Sequence, residues 1–458
     1  MLAYFVKSSG ARDSLRFLVC LGFWVGLVPV LGSAEVIRHT TPAGRVFYYV
    51  QMPEADRTAI IVDWTSAWGH SAEHPTTAHM GAILMTLGTG GKLEDLLGDL
   101  NTVGAQAELN ATADGARGLL VARDNQLKEA AALAREALNA PLDEATFESI
   151  RTELSRAVLS TTPSTEVLVG DVARRLLLGE APLDDFLLLP VDDIEATTLS
   201  EVEEWHDAVF AQANATVAAA GVAPAADVAA AVDSLLERLP EFPIGGSTGA
   251  PLPAYDGRTV LLVAPDAESY AIGVFGPLRS SGPLGGVLNV LALESLDRRI
   301  SRGLRREFGE LYDISARPVN YARDVRLLAI GGKVAAEDLE KVLEVTRQTY
   351  ERFRARGPNA REAEKGAAHA ARMFEGVKNM PEAVAQIVAE LVLDGEPVII
   401  ADDLEGQLRG VELGTLRAHI QGAFPAWDKM LRVIVAPYAE AAPADCVIDN
   451  VEALETCR

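Results

Sequence analysis

Apolar and polar positions follow two periods along the chain. Short runs rich in β-branched and aromatic residues, at Val46–Val50 and Ala59–Val62, predict strands. Met80, Ile83, Leu84 and Leu87 recur at helical spacing and predict a helix over Thr76–Thr86, stopped by Gly88-Thr89-Gly90-Gly91. A second helix is expected over Leu93–Val103, ending at Gly104, because glycine enters the left-handed conformation of a helix stop without steric cost. Strands around Gln106–Thr112 and Leu119–Arg123 follow, then helices over Leu127–Leu138, Glu144–Val158 and on through Arg174. A strand at Ala215–Gly221 and a helix at Ala225–Leu239 complete the first half.

Pro240, Pro243, Gly245, Gly246, Gly249, Pro251, Pro253 and Gly257 then mark a linker. After it the order returns. Strands are expected at Thr259–Val263 and Tyr270–Phe275, and a helix at Val287–Glu307 stops near Gly309. Strands at Leu311–Ala316 and Val325–Ile330 and a helix from Ala336 to about Phe353 come next. Laying Gly104 on Gly309 matches helix, glycine, strand, strand and helix in both halves. Strand runs with helices packed on one face imply an α+β fold of two homologous, roll-like domains with antiparallel-rich sheets. The expected divisions are a leader at 1–34, a first domain at 35–239, a linker at 240–257, a second domain at 258–440 and a tail at 441–458.

The leader has the form of a secretory signal. Lys7, Arg12 and Arg16 precede an apolar run from Phe17 to Leu31, which ends in Gly32-Ser33-Ala34. Export to the periplasm with cleavage is expected, leaving no membrane span; a retained anchor is the rival. The chain of 458 residues carries 41 Lys+Arg against 65 Asp+Glu, a net charge of −24. That charge argues against nucleic acid as a partner, since phosphate binding needs a basic face. Three cysteines are too few for a disulfide scaffold or a thiolate zinc cluster. Cleavage leaves Cys446 and Cys457, which can close a short loop in an oxidising compartment or stay free. We expect them to be bonded.

His79, Leu87-Gly88-Thr89-Gly90, Leu93-Glu94-Asp95-Leu96-Leu97, Gly104-Ala105 and Leu109-Asn110-Ala111 stand in the order of one known family. With them the chain resembles the insulinase/pitrilysin zinc peptidases, the inverzincins. In the second half Leu304-Arg305-Arg306-Glu307, Gly309 and Tyr312 resemble the family's substrate-holding segment. The resemblance covers nearly all of the mature chain and implies the metallopeptidase-like LuxS/MPP-type fold.

The family's chemistry requires His-x-x-Glu-His on one helix, with two histidines binding zinc and the glutamate activating water. Here the base position is Ala82 and the second ligand position is Ile83. Ser155–Thr162, where a distal ligand should fall, contains no carboxylate. His79 alone then reads as an ordinary helix residue. His70-Ser71-Ala72-Glu73-His74 spells the motif literally, with Glu148 downstream as a further ligand. Pro75 disfavours a helical His74 and suits the start of the next helix. Gly88 also stands nine residues after His79, the family's spacing, but eighteen after His70.

Arg305 and Tyr312 keep the seven-residue spacing of the family's Arg/Tyr pair, which holds the peptide backbone and stabilises the oxyanion. The alternative is a surface arginine on the basic helix of Arg298, Arg299, Arg302, Arg305 and Arg306, with a core tyrosine. The resemblance therefore implies a non-catalytic subunit that binds no cofactor itself. It would supply Arg305 and Tyr312 to a zinc-bearing homologous partner that cleaves peptides. Two alternatives stay open. One is an active zinc endopeptidase with His70, His74 and Glu148 as ligands and Glu73 as base; the other is a non-enzymatic scaffold.

Overall fold

The computed structural model describes residues 35–65, 74–87, 99–112, 114–160, 162–178, 189–242, 257–267, 269–279, 284–309, 313–322, 325–401 and 404–457. The leader, most of the 240–257 linker, residues 70–73, residues 88–98 and Tyr312 lie outside them.

The first sheet has the order β1-β2-β6-β3-β5-β4. Its strands are β1 (Val36–Thr40), β2 (Val46–Gln51), β3 (Thr58–Thr65), β4 (Gln106–Thr112), β5 (Gly115–Ala122) and β6 (Ala215–Gly221). The second has the order β12-β7-β11-β8-β10-β9. Its strands are β7 (Thr259–Val263), β8 (Tyr270–Leu278), β9 (Ser315–Ala322), β10 (Val325–Val334), β11 (Leu431–Ala436) and β12 (Cys446–Ile448). β2 runs parallel to β6, and the remaining pairs of the first sheet are antiparallel. β7 likewise runs parallel to β11, with β11-β8-β10-β9 antiparallel. Five strands thus repeat in order and direction. The sixth differs: β1 pairs antiparallel with β2, whereas β12 pairs parallel with β7.

Helices in chain order are α1 (Pro75–Leu87), α2 (Leu127–Leu138), α3 (Glu144–Leu159), α4 (Thr165–Leu178), α5 (Val191–Ala196), α6 (Leu199–Val209) and α7 (Ala225–Leu236). In the second half they are α8 (Gly285–Phe308), α9 (Leu339–Arg356), α10 (Ala360–Glu375), α11 (Pro381–Leu393), α12 (Leu404–Gly410) and α13 (Leu413–Ala423). Local chemistry fixes several starts. Asp143 accepts the Thr146 N–H at 2.8 Å before α3, and Thr198 and Glu201 cap α6 reciprocally. Gly104 and Gly309 take φ of 66° and 74°, as expected of helix stops, while the expected stop at 88–91 and most of the expected helix before Gly104 lie outside the described residues. The strand expected at Leu311–Ala316 begins later, at Ser315, so its polar residues Arg317 and Asn320 belong to the pairing region.

Two compact units result, divided not only at 250/251, within the linker, but at further points of the chain. The first takes the described residues of 1–161, 189–250 and 372–406; the second takes those of 162–188, 251–371 and 407–458. Helix α11, from the second half of the sequence, therefore belongs with the first sheet, and α4, from the first half, with the second. The division into 35–239 and 258–440 misses this reciprocal exchange.

The exchange explains the burial of the strands. Ile60, Val62 and Trp64 of β3 point into an apolar cluster with Ala130 and Leu138 of α2 and with Val232 and Leu235 of α7. Ala59, Ile61 and Asp63, on the opposite face, are also buried. That face belongs to α11, which packs along β6 and β3. The expectation of helices on one face is thus extended by a helix on the other. In the second unit α4 packs on β8 and β11, with Gly273 leaving room for Val169.

The Cys446–Cys457 disulfide is formed, with the Cα atoms 5.7 Å apart.

Candidate functional site

Helix α1 carries His79, Ala82 and Ile83, the positions expected to correspond to a metal motif. Pro75 is its first residue, and the His74 carbonyl accepts the Ala78 N–H at 3.1 Å. His74 therefore precedes the helix and is exposed. Glu148, the distal candidate of the literal motif, lies on α3 and pairs with Arg151 at 2.5 Å. His70 and Glu73 are outside the described residues.

His79 is half-buried on α1, and burial lowers the pKa of its ring. Ala82, one turn further on, is 3% exposed within the apolar cluster of the first unit, and Ile83 is half-buried. The helix packs closely against α6. Gly81 meets the Trp205 ring of α6 so closely that an added Cβ would come within 2.6 Å of it. A methyl and a sec-butyl group offer a metal no lone pair, so the residues at 79, 82 and 83 do not fit zinc. Among the described residues no three His, Cys, Asp or Glu side chains gather into a metal-sized group.

Strand β4, with Asn110 and Ala111, is an outer strand of the first sheet and, among the described strands, pairs with β5 alone. Asn110 is exposed, while Ala111 faces the core.

Helix α8 carries the arginine cluster. Val287–Leu293 is buried throughout, whereas beyond Ile300 only Leu304 is. The helix therefore runs from the core into solvent, and its arginines divide by role. Arg298 pairs with Glu294. Arg299 and Arg302 both hold Glu362, at 2.6 and 2.7 Å. Burial would raise the Glu362 pKa, but the Arg299 bond, the Asn359 N–H and the Arg302 bond hold it at about 2. Arg299 also lies 5.3 Å from the Phe353 ring and donates to the Gly357 carbonyl at 2.8 Å.

Arg305 and Arg306 differ from these. Both side chains are exposed, and neither pairs with a described residue. Glu307, the nearest acid in sequence, is taken by Lys341 at 2.5 Å. Arg305 occupies the last turn of α8, where its carbonyl accepts the Gly309 N–H at 2.9 Å. Its partner in the expected pair, Tyr312, is outside the described residues.

One charged group escaped the sequence reading. Asp63, in the middle of the apolar strand β3, accepts from Arg117 Nε at 2.5 Å, and Arg117 also holds Glu390 of α11 at 2.7 Å. An aspartate between Val62 and Trp64 was the available signal.

Residues 196–368 match the family described as Peptidase M16 inactive domain. No curated protein matches the chain. Among solved structures, the chain is similar to a peptidase M16 inactive domain from Pseudomonas fluorescens, at TM-score 0.76 and 15% identity over 90% of this chain and 100% of that one. It is similar to a protease from Helicobacter pylori at TM-score 0.72 and 14% identity, covering 88% and 100%. It is also similar to the periplasmic protease PqqL from Escherichia coli, at TM-score 0.68 and 13% identity, over 93% of this chain but 50% of PqqL. At such identities the likeness to these structures concerns the fold.

Proposed function

We infer, for a chain whose residues 196–368 match the M16 inactive domain and whose fold is similar to that of M16-like peptidases, that it is the non-zinc subunit of a heterodimeric insulinase-family peptidase. In this reading a homologous partner holds the zinc and cuts peptides. This chain binds no metal and supplies Arg305 and Tyr312 to the substrate.

The reading rests on the contrast between α1 and α8. Ala82 and Ile83 stand where a base and a metal ligand are needed, while Arg305 is exposed and engaged by no side chain among the described residues, beside three arginines committed to Glu294 and Glu362. A peptide carbonyl under attack gains negative charge, and a free guanidinium held on a rigid helix end stabilises that charge. Three features support export to the periplasm: the signal-like leader, the disulfide, and the likeness to a protein described as a periplasmic protease. Among the described residues no helix is long and apolar enough to cross a membrane.

Co-expression with a homologous chain that carries an intact zinc motif tests the reading. The expected outcome is a stable one-to-one complex whose peptidase activity is chelator-sensitive and absent from this chain alone. Zinc-dependent cleavage by this chain alone would favour the literal motif of His70, Glu73, His74 and Glu148. Association without any activity would favour a scaffold.

A further inference from the structure

We propose that the Cys446–Cys457 disulfide is a redox latch: it keeps the edge of the second sheet covered, and its reduction releases the 445–457 segment and opens strand β7. β7 reads Thr-Val-Leu-Leu-Val, and Val260, Leu261 and Leu262 are all buried. On one side it pairs with the six-residue strand β11. On the other its sole partner among the described strands is β12, three residues long, in the register Cys446↔Val260, Val447↔Leu261 and Ile448↔Leu262.

Such a strand holds itself poorly. Val447 faces solvent, so Ile448 is the apolar side chain of β12 that seats on the unit. Asp445 adds a main-chain bond to the Thr259 carbonyl at 2.8 Å, and its carboxylate accepts the Thr259 N–H at 2.7 Å. Beyond β12, Leu454 and Cys457 are buried, and the Arg258 guanidinium donates to the Cys457 carbonyl. The disulfide thus joins the start of the short strand to the far end of its anchor, eleven residues on. Closing the segment into a loop removes much of the entropy gained by letting go. Without closure, each residue of 445–457 must be ordered individually for its contacts to Arg258, to β7 and to α4. Loss of the segment leaves β7 as an apolar edge with one row of unpaired backbone groups, the kind of edge that folded proteins keep covered.

The chemistry balances with a dithiol as reductant. The S–S bond takes two electrons and two protons, each cysteine becomes a thiol, and the dithiol closes its own disulfide. The covered state of this edge is therefore tied to an oxidising compartment.

Hydrogen–deuterium exchange of the full chain, oxidised and after dithiothreitol, tests the latch. The Cys446→Ser/Cys457→Ser double variant without reductant is measured alongside. The expected result is roughly 10–100-fold faster exchange in 445–457 and in β7 of both reduced and variant chains, with β8 and β10 unchanged and protection restored on reoxidation. Unchanged protection of 445–457 in the reduced chain and the variant would overturn the proposal, because the segment would then seat without the bond. Equal loss of protection across β7, β8, β10 and β11 would overturn it as well, since the disulfide would then support the whole sheet rather than its edge.

Discussion

Arg117 of β5 donates to the Glu390 carboxylate of α11 at 2.7 Å, joining the first sheet to a helix that arrives from the second half of the chain. The same guanidinium holds Asp63, whose side chain is 3% exposed. Arg117→Ala removes the shared counter-ion and leaves two carboxylates in a poorly solvated place. A loss of about 3–5 kcal/mol is expected, the usual cost of breaking a buried pair from one side. Urea unfolding at neutral pH followed by circular dichroism measures it. A loss below about 1 kcal/mol would mean that α11 is held by apolar packing alone.

Asp63 also gives the first unit a pH signature. Burial, opposed by Arg117, pushes its pKa up to about 6. A carboxyl with a folded pKa above its unfolded value favours folding when protonated. That contribution is complete below about pH 4 and is lost as pH rises through about 6. Over this window it is on the order of 2–3 kcal/mol. Asp63→Asn should abolish this part of the stability–pH profile, and the same slope in wild type and variant would contradict the assignment.

His419 of α13 acts in the opposite sense in the second unit. Its ring nitrogen Nε2 lies 2.7 Å from Asn289 Oδ1, and burial pushes its pKa down to about 4. The contribution of the neutral ring is present above about pH 6.5 and is lost as pH falls through about 4. His419→Gln should therefore flatten the acid limb of the unfolding curve. An acid limb as steep as in wild type would show that the ring is not what titrates.

The periodic elements were legible in the sequence because each rests on local pattern. β4, β6, β7 and α2 fall at their expected bounds, and Gly104 and Gly309 end helices as expected. β1 gave little signal, since an edge strand reading Val-Ile-Arg-His-Thr with mostly exposed residues lacks an apolar face. β12 has too few residues for any period and exists through its partner and the disulfide. The exchange of α4 and α11 was invisible, because an apolar helix face does not say which sheet it covers. Ala82 and Ile83 can be read from side-chain chemistry alone, since neither offers a metal a lone pair. The link of Asp63 to Arg117 and Glu390 was not, as it joins residues from two strands and a distant helix.

Purified without chelator, the chain alone should hold well below one zinc per molecule. The basis is the methyl of Ala82 in the core and the Ile83 side chain beside it, at the positions of a base and a ligand. Elemental analysis measures the ratio. One tightly held zinc, lost in His70→Ala or His74→Ala, would contradict it.

The most direct test of the account is the turnover of a quenched-fluorescent peptide by the complex of this chain with the proposed zinc-bearing partner, comparing wild type with Arg305→Ala, Tyr312→Phe and Arg306→Ala. Gel filtration confirms assembly in each case. Donors aimed at a developing oxyanion are worth about 3–4 kcal/mol, or roughly 10²–10³ in rate. Arg306 lies one residue along the helix and points about 100° away. The account predicts a loss of that size for Arg305→Ala and Tyr312→Phe, near-normal turnover for Arg306→Ala, and intact assembly throughout. Near-normal turnover in Arg305→Ala and Tyr312→Phe would contradict it.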